Sequence, residues 1–150
     1  AVVCAKNNRE KFIVVEPENA DCVFKSIKNG RPTSVDIKKE TVMGGMSCGD
    51  VSSIAWHILK NSAKYCVTIS DEAISSAIAL LAEGRLSNEK IIAGECAVPG
   101  LIALIGAFNN KDYIDKLELN SDSKVLLFGC EGLTDKAMYK KLLDDGLKKI

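Results

Sequence analysis

Lys124-Val125-Leu126-Leu127-Phe128 runs straight into Gly129-Cys130-Glu131-Gly132, and Thr134-Asp135 follows. The apolar run predicts a fully buried strand, the glycines a turn, and Thr134 and Asp135 the opening of a helix. In open α/β sheets, ligands sit at the carboxyl ends of strands, where helix N-termini point N–H donors outward. Glycine permits the sharp bend and lets a ligand approach the backbone. Cys130 is placed to meet that ligand with a thiol, a weak donor and acceptor. The same pattern also describes an ordinary connection in any α/β protein.

Working outward, strands and helices alternate. Residues 11–15 (KFIVV) form a strand of the continuous apolar kind, ended by Glu16-Pro17. Asn19-Ala20-Asp21 caps a helix to about Lys28, with Gly30 as its stop. Residues 31–40 are polar and carry Pro32, which predicts a loop; 41–48 (TVMGGMSC) is short, apolar and bent by glycine. Residues 52–61 predict an amphipathic helix with Ile54, Ile58 and Leu59 on one face. Residues 65–69 are strand-like, and Ser70-Asp71-Glu72 caps a helix over 73–83 closed by Gly84. Residues 91–93 predict a short strand, Pro99 the first turn of an apolar helix to about Phe108, and 112–117 a short amphipathic segment. The first five residues, Ala1-Val2-Val3-Cys4-Ala5, suggest the tail of a helix. The alternation predicts an α/β fold in three layers: a mostly parallel sheet with helices on both faces, as a single domain over 1–150.

The chain has 150 residues, enough for one core of useful size. Lys plus Arg and Asp plus Glu number 20 each, so net charge gives no reason to expect a nucleic acid or a membrane surface as partner. No apolar run reaches the roughly 18 residues that span a bilayer, and no secretory signal is visible, which sets the expectation of a cytoplasmic protein. None of the six cysteines sits in a CxxC pair, so no metal site is expected and most are read as small buried hydrophobes. His57, the only histidine, lies beside Trp56 on the helix over 52–61 and reads as a surface or packing residue.

Three bends share one character: Gly44-Gly45-Met46-Ser47-Cys48-Gly49-Asp50, Gly94-Glu95-Cys96-Ala97-Val98-Pro99-Gly100, and Gly129-Cys130-Glu131-Gly132. Each holds glycines, a cysteine and a carboxylate, and the first two read, like the third, as strand-to-helix connections. In a doubly wound sheet all three open on one edge, which favours a small-molecule pocket over three unrelated turns.

The blocks FIVVEPENADCVFKS, TVMGGMSCGD with IAWHILKN, GECAVPG and KVLLFGCEGLTD, in that order, resemble the diaminopropionate ammonia-lyases. These are pyridoxal 5′-phosphate (PLP) enzymes of the tryptophan synthase β-like, or type II, fold. The resemblance implies the C-terminal part of the large PLP-binding domain. It also implies PLP as cofactor, a small amino-acid substrate, and a homodimer or self-association through exposed edges. It matches Cys130 to the group that meets the pyridine nitrogen, although the lyases usually spell Ser-Thr where this chain has Gly129-Cys130. Gly45, with Met46, matches a backbone segment packed beside the PLP ring, and Glu95 an acidic residue near the cofactor. Glu95 also reads as a simple helix-capping carboxylate. Both Cys22 and Cys48 fall where the lyases carry cysteine, so a disulfide and two buried thiols are both open readings.

PLP chemistry needs a Schiff-base lysine and a phosphate cradle. The resemblance places both upstream of Ala1, and no lysine here matches the motif, so the chain alone is expected to be inactive. The implied reaction of the whole is removal of ammonia from 2,3-diaminopropionate to give pyruvate and ammonia. Two other readings remain: a threonine or serine dehydratase, and a non-catalytic α/β binding module.

Overall fold

The computed structural model describes residues 2–6 and 9–150, with side chains from Glu10 onward. Four strands form one sheet in the order β3-β2-β1-β4: β1 Val2–Lys6, β2 Arg9–Pro17, β3 Ala63–Ile69 and β4 Lys124–Leu127. β2 pairs parallel with β3, whereas β1 is antiparallel to both β2 and β4. Two strands that each oppose β1 run the same way. β2, β3 and β4 therefore share one direction, and their carboxyl ends lie on one rim.

Among the described residues six α-helices flank the sheet: α1 Cys22–Asn29, α2 Ser53–Ser62, α3 Ile74–Ala82, α4 Pro99–Phe108, α5 Lys111–Leu117 and α6 Lys136–Leu147. Strand side chains alternate between faces. Ile13 and Val15 on β2, with Tyr65, Val67 and Ile69 on β3, join a core made with Ile74, Ile78, Val98 and Ala107 from the α3 and α4 side. The opposite face carries Glu16 on β2 and Cys66 on β3, and α1 covers it. Helices on both faces of the sheet give the three layers expected. Gly30 (φ 67) and Gly84 (φ 66) end α1 and α3 in the left-handed region, where a side chain would strain the backbone. Among the described residues no helix is long and apolar enough to cross a membrane.

Five local expectations are corrected. Val2–Lys6 is a strand, not the end of a helix: its backbone pairs on both sides, and a short apolar run does not itself distinguish the two. β4 is not fully buried. It pairs only with β1 among the described residues, and Leu126 stays 54% exposed. Residues 91–93 form no strand, because the flanking backbone bonds go elsewhere: Ile91 N–H to Leu81 O and Gly94 N–H to Glu131 O. No strand precedes the first glycine bend either; 44–46 is a tight 3₁₀ turn (Gly44–Met46) whose bonds are local. On α2 the face of Ile54, Ile58 and Leu59 is not buried as a stripe: Ile54 is 76% and Ile58 63% exposed, Leu59 is half-buried, and Trp56 takes the buried position.

Candidate cofactor site

The three glycine bends meet. A Cβ placed on Gly94 would lie 2.6 Å from the carbonyl oxygen of Gly132 and 2.7 Å from Cγ of Glu131. A Cβ on Gly45 would lie 3.3 Å from Cys96 Sγ, and one on Gly129 would touch Cβ of Ala97 at 3.5 Å. The middle bend thus packs against both others. Its neighbour, the 41–46 segment, is fastened to the end of β3: Asp71 accepts the Thr41 hydroxyl and, at 3.1 Å, the Val42 N–H. The third bend leaves β4 directly. Glycine at these contacts is what lets three backbones approach so closely.

Glu131 holds the centre. Its Oε2 accepts the Cys96 N–H at 2.8 Å, its Oε1 accepts the Thr134 hydroxyl at 3.1 Å, and its main-chain oxygen accepts the Gly94 N–H at 3.1 Å. Burial pushes the Cys96 thiol up to about 11, and the adjoining Glu131 carboxylate adds to this, while the Gly45 N–H opposes it. Cys96 is therefore a neutral thiol at physiological pH, lying between the first and third bends. Glu95, Cys96 and Glu131 keep one ligand atom each within 4.8 Å of one another. Both carboxylate oxygens of Glu131 already accept hydrogen bonds from the chain itself.

Of the residues singled out in the sequence, Gly45 and Gly129 sit at these contacts and Glu95 lies beside them, half-buried. Met46 packs against the edge of the core. Cys130 is exposed, one residue before Glu131. His57 is exposed on α2. Sequence reasoning gave Glu131 no task of its own; the available signal was a carboxylate between two glycines.

It also missed Glu16, which is buried at the carboxyl end of β2 and accepts the Val23 N–H at 3.0 Å and the Phe24 N–H at 2.7 Å from the first turn of α1. A carboxylate there satisfies two orphan donors and faces the positive end of the helix. Burial nevertheless raises its pKa, the two N–H bonds offsetting part of that effect. The thiols of Cys22 and Cys66 face the same carboxylate at 3.7 and 3.9 Å. Burial first, then the Glu16 charge, pushes Cys22 up to about 11 and Cys66 up to about 12. Cys22 and Cys48 are both free thiols, the first buried and the second exposed. The expectation that most cysteines are buried is corrected: among those whose side chains are described, only Cys22 is buried, and Cys48 and Cys130 face solvent.

Residues 2–131 match the family model described as "Pyridoxal-phosphate dependent enzyme". The chain belongs to that family. It is 31% identical over 137 residues to the diaminopropionate ammonia-lyase of Escherichia coli K12, covering 89% of this chain and 34% of the relative. With the Salmonella typhimurium LT2 enzyme of the same name, identity is 29% over 147 residues, 94% of this chain and 36% of the relative. The chain thus spans about a third of the length of the curated relatives it matches. Among solved structures, the E. coli lyase in complex with an aminoacrylate–PLP azomethine intermediate superposes with TM-score 0.78 at 30% identity, over 89% of this chain and 34% of that one. A complex of the same lyase with D-serine gives TM-score 0.80 over 91% of this chain. The threonine deaminase of T.th., at 23% identity and TM-score 0.58, shares the fold. The chain shares the type II PLP-enzyme fold of these relatives.

Proposed function

We propose that this chain forms the C-terminal part of the PLP-binding domain of a diaminopropionate ammonia-lyase, a cytoplasmic homodimeric enzyme. In that enzyme it supplies the wall around the pyridine nitrogen. The observation that carries this reading is the convergence of the three bends on one rim, with an exposed thiol beside them.

The residues present fit a flat, uncharged ring edge. Gly44 and Gly45 present backbone without side chains, and nothing lies within 4 Å of the space a Gly44 side chain would take. Cys130 offers an S–H that donates weakly to a ring nitrogen. Bound PLP supplies an electron sink for the charge left at the substrate α-carbon when its proton is removed. A thiol facing the nitrogen, in place of a carboxylate, keeps that sink moderate, which suits loss of a β-amino group over a long-lived carbanion. Glycine at 45 and 129 would keep the flanking bends close against the middle one beside the ring, and Glu95 would line the approach from the middle bend.

Two features support the view that this chain works within a larger body. α4 (PGLIALIGAF) is apolar on every side, yet five successive residues, 101–105, are only half-buried and Phe108 is 51% exposed. A helix apolar all round is built to be covered on all sides. β4 likewise leaves one edge unpaired among the described residues.

Two assays test the proposal. The chain alone, mixed with PLP and diaminopropionate, should release no ammonia and show no lysine trapped by borohydride. The chain put in place of the corresponding third of the E. coli lyase should restore ammonia release from diaminopropionate. Turnover of serine or threonine but not diaminopropionate by that hybrid, or a trapped lysine within residues 1–150, refutes the reading.

A further inference from the structure

The geometry points to Glu131 as the positioning residue of this rim: its carboxylate and main-chain oxygen tie the Cys130 bend to the 94–97 bend and, through Cys96, to Gly45. This inference rests on the reading of the rim as a PLP site. Cys130 belongs to an exposed loop with glycine on one side and Glu131 on the other. A thiol on such a loop has no fixed aim of its own. Glu131 removes that freedom from three directions at once. The Gly94 N–H and the Cys96 N–H both donate to it, and the Thr134 hydroxyl holds the remaining oxygen from the start of α6. Two bonds from one bend to one residue define an orientation as well as a distance.

The tie continues. The sulfur of Cys96 lies within 4.8 Å of a Glu131 carboxylate oxygen and 3.3 Å from where a Cβ on Gly45 would sit. The segment proposed to lie beside the ring and the thiol proposed to face its nitrogen are thereby joined through two residues, Cys96 and Glu131. A carboxylate near the N-terminus of α4 is also favoured by the helix dipole. A ring bound between the two segments finds their separation already set, which lowers the ordering cost of binding. Glu131 acts through Cys130 and Gly45; it is not assigned a proton to transfer.

Hydrogen exchange on the chain itself tests the tie without any cofactor. Glu131→Ala should speed amide exchange several-fold at 94–97 and also at 43–48, while β2 and β3 keep their protection. Glu131→Gln, whose amide oxygen still accepts the Cys96 N–H, should restore slow exchange. Both variants should shift the alkylation pH profile of Cys96 to lower pH, because a negative neighbour is gone. Faster exchange confined to 94–97 and 131–134, or an unmoved Cys96 profile, overturns the inference.

A second arm uses the hybrid lyase that carries this chain, stripped of PLP, with pyridoxine 5′-phosphate, which lacks the aldehyde and cannot react with lysines. It should slow Cys130 alkylation several-fold in the wild type and in Glu131→Gln, and not in Glu131→Ala. Equal protection in all three overturns the positioning role. Absence of protection in the wild type, with the exchange result intact, rejects the cofactor reading and leaves the tie standing.

Discussion

Replacing Gly94 with alanine should destabilise the chain more than any ordinary loop substitution. The new Cβ would sit 2.6 Å from Gly132 O, 2.7 Å from Glu131 Cγ and 2.8 Å from Glu131 Oε2. To reach ordinary contact the two bends must part by roughly 0.8 Å. The Cys96 N–H to Glu131 bond, 2.8 Å at present, would not survive that displacement. Overpacking costs about 1–3 kcal/mol, and losing a bond to a charged acceptor about 1.5–3 kcal/mol. The two overlap, so the expected loss is about 3 kcal/mol, or a fall in Tm on the order of 10 °C for a chain of this size. Urea and thermal unfolding followed by circular dichroism would measure it. Gly106→Ala is the control: it lies on α4 with nothing within 4 Å, and alanine there should stabilise by about 0.5–1 kcal/mol. With Glu131→Ala already present, the added cost of Gly94→Ala should shrink by about 1 kcal/mol or more, because the two residues share one contact. A Gly94→Ala protein within about 0.5 kcal/mol of the wild type would refute the claim that these bends are in contact.

Gly146→Ala places a Cβ 2.0 Å from the Ser75 carbonyl oxygen, so α6 must lift from α3; a loss of at least about 2–3 kcal/mol in the same unfolding assay is expected. Alkylation read by mass spectrometry near neutral pH should label Cys130 and Cys48 first, and Cys96, Cys22 and Cys66 slowly, since the last three are shielded and hold their protons up to about 11 or 12. Early labelling of Cys66 would contradict its packing. The raised Glu16 pKa means the folded state binds a proton more readily than the unfolded one, so this group's contribution to stability falls as pH rises through the raised value and recovers as pH falls towards the ordinary glutamate range. Wild type should therefore gain on Glu16→Gln as pH is lowered from neutral towards the ordinary glutamate range, and a constant gap in unfolding free energy would show that the pKa is not raised.

Much of this architecture is legible in the sequence because its signals are local. KFIVV on β2, Pro99 at the first position of α4, and Gly30 and Gly84 after α1 and α3 each state a backbone preference that the packing keeps. The misread elements are those whose state depends on neighbours. Residues 124–128 carry an apolar run that suits a buried strand, yet β4 stands at the sheet edge. Residues 91–93 have β-branched character but no ladder partner, and α2 buries one tryptophan in preference to a stripe. The site divides the same way. The meeting of the three glycine bends follows from pattern, and the proposed roles of Gly45, Glu95, Gly129 and Cys130 rest on resemblance. The tie at Glu131 needed three dimensions because 35 residues separate Cys96 from Glu131, and the Glu16 cap because its carboxylate comes from the preceding strand, 7 and 8 residues before the N–H groups it accepts.

The most direct test of the account is the alkylation rate of Cys130 in the PLP-free hybrid lyase that carries this chain, with and without millimolar pyridoxine 5′-phosphate, inorganic phosphate serving as the control. A several-fold slowing with the pyridine compound and none with phosphate is the predicted result. Equal rates under all three conditions would contradict the assignment of this thiol to the ring nitrogen.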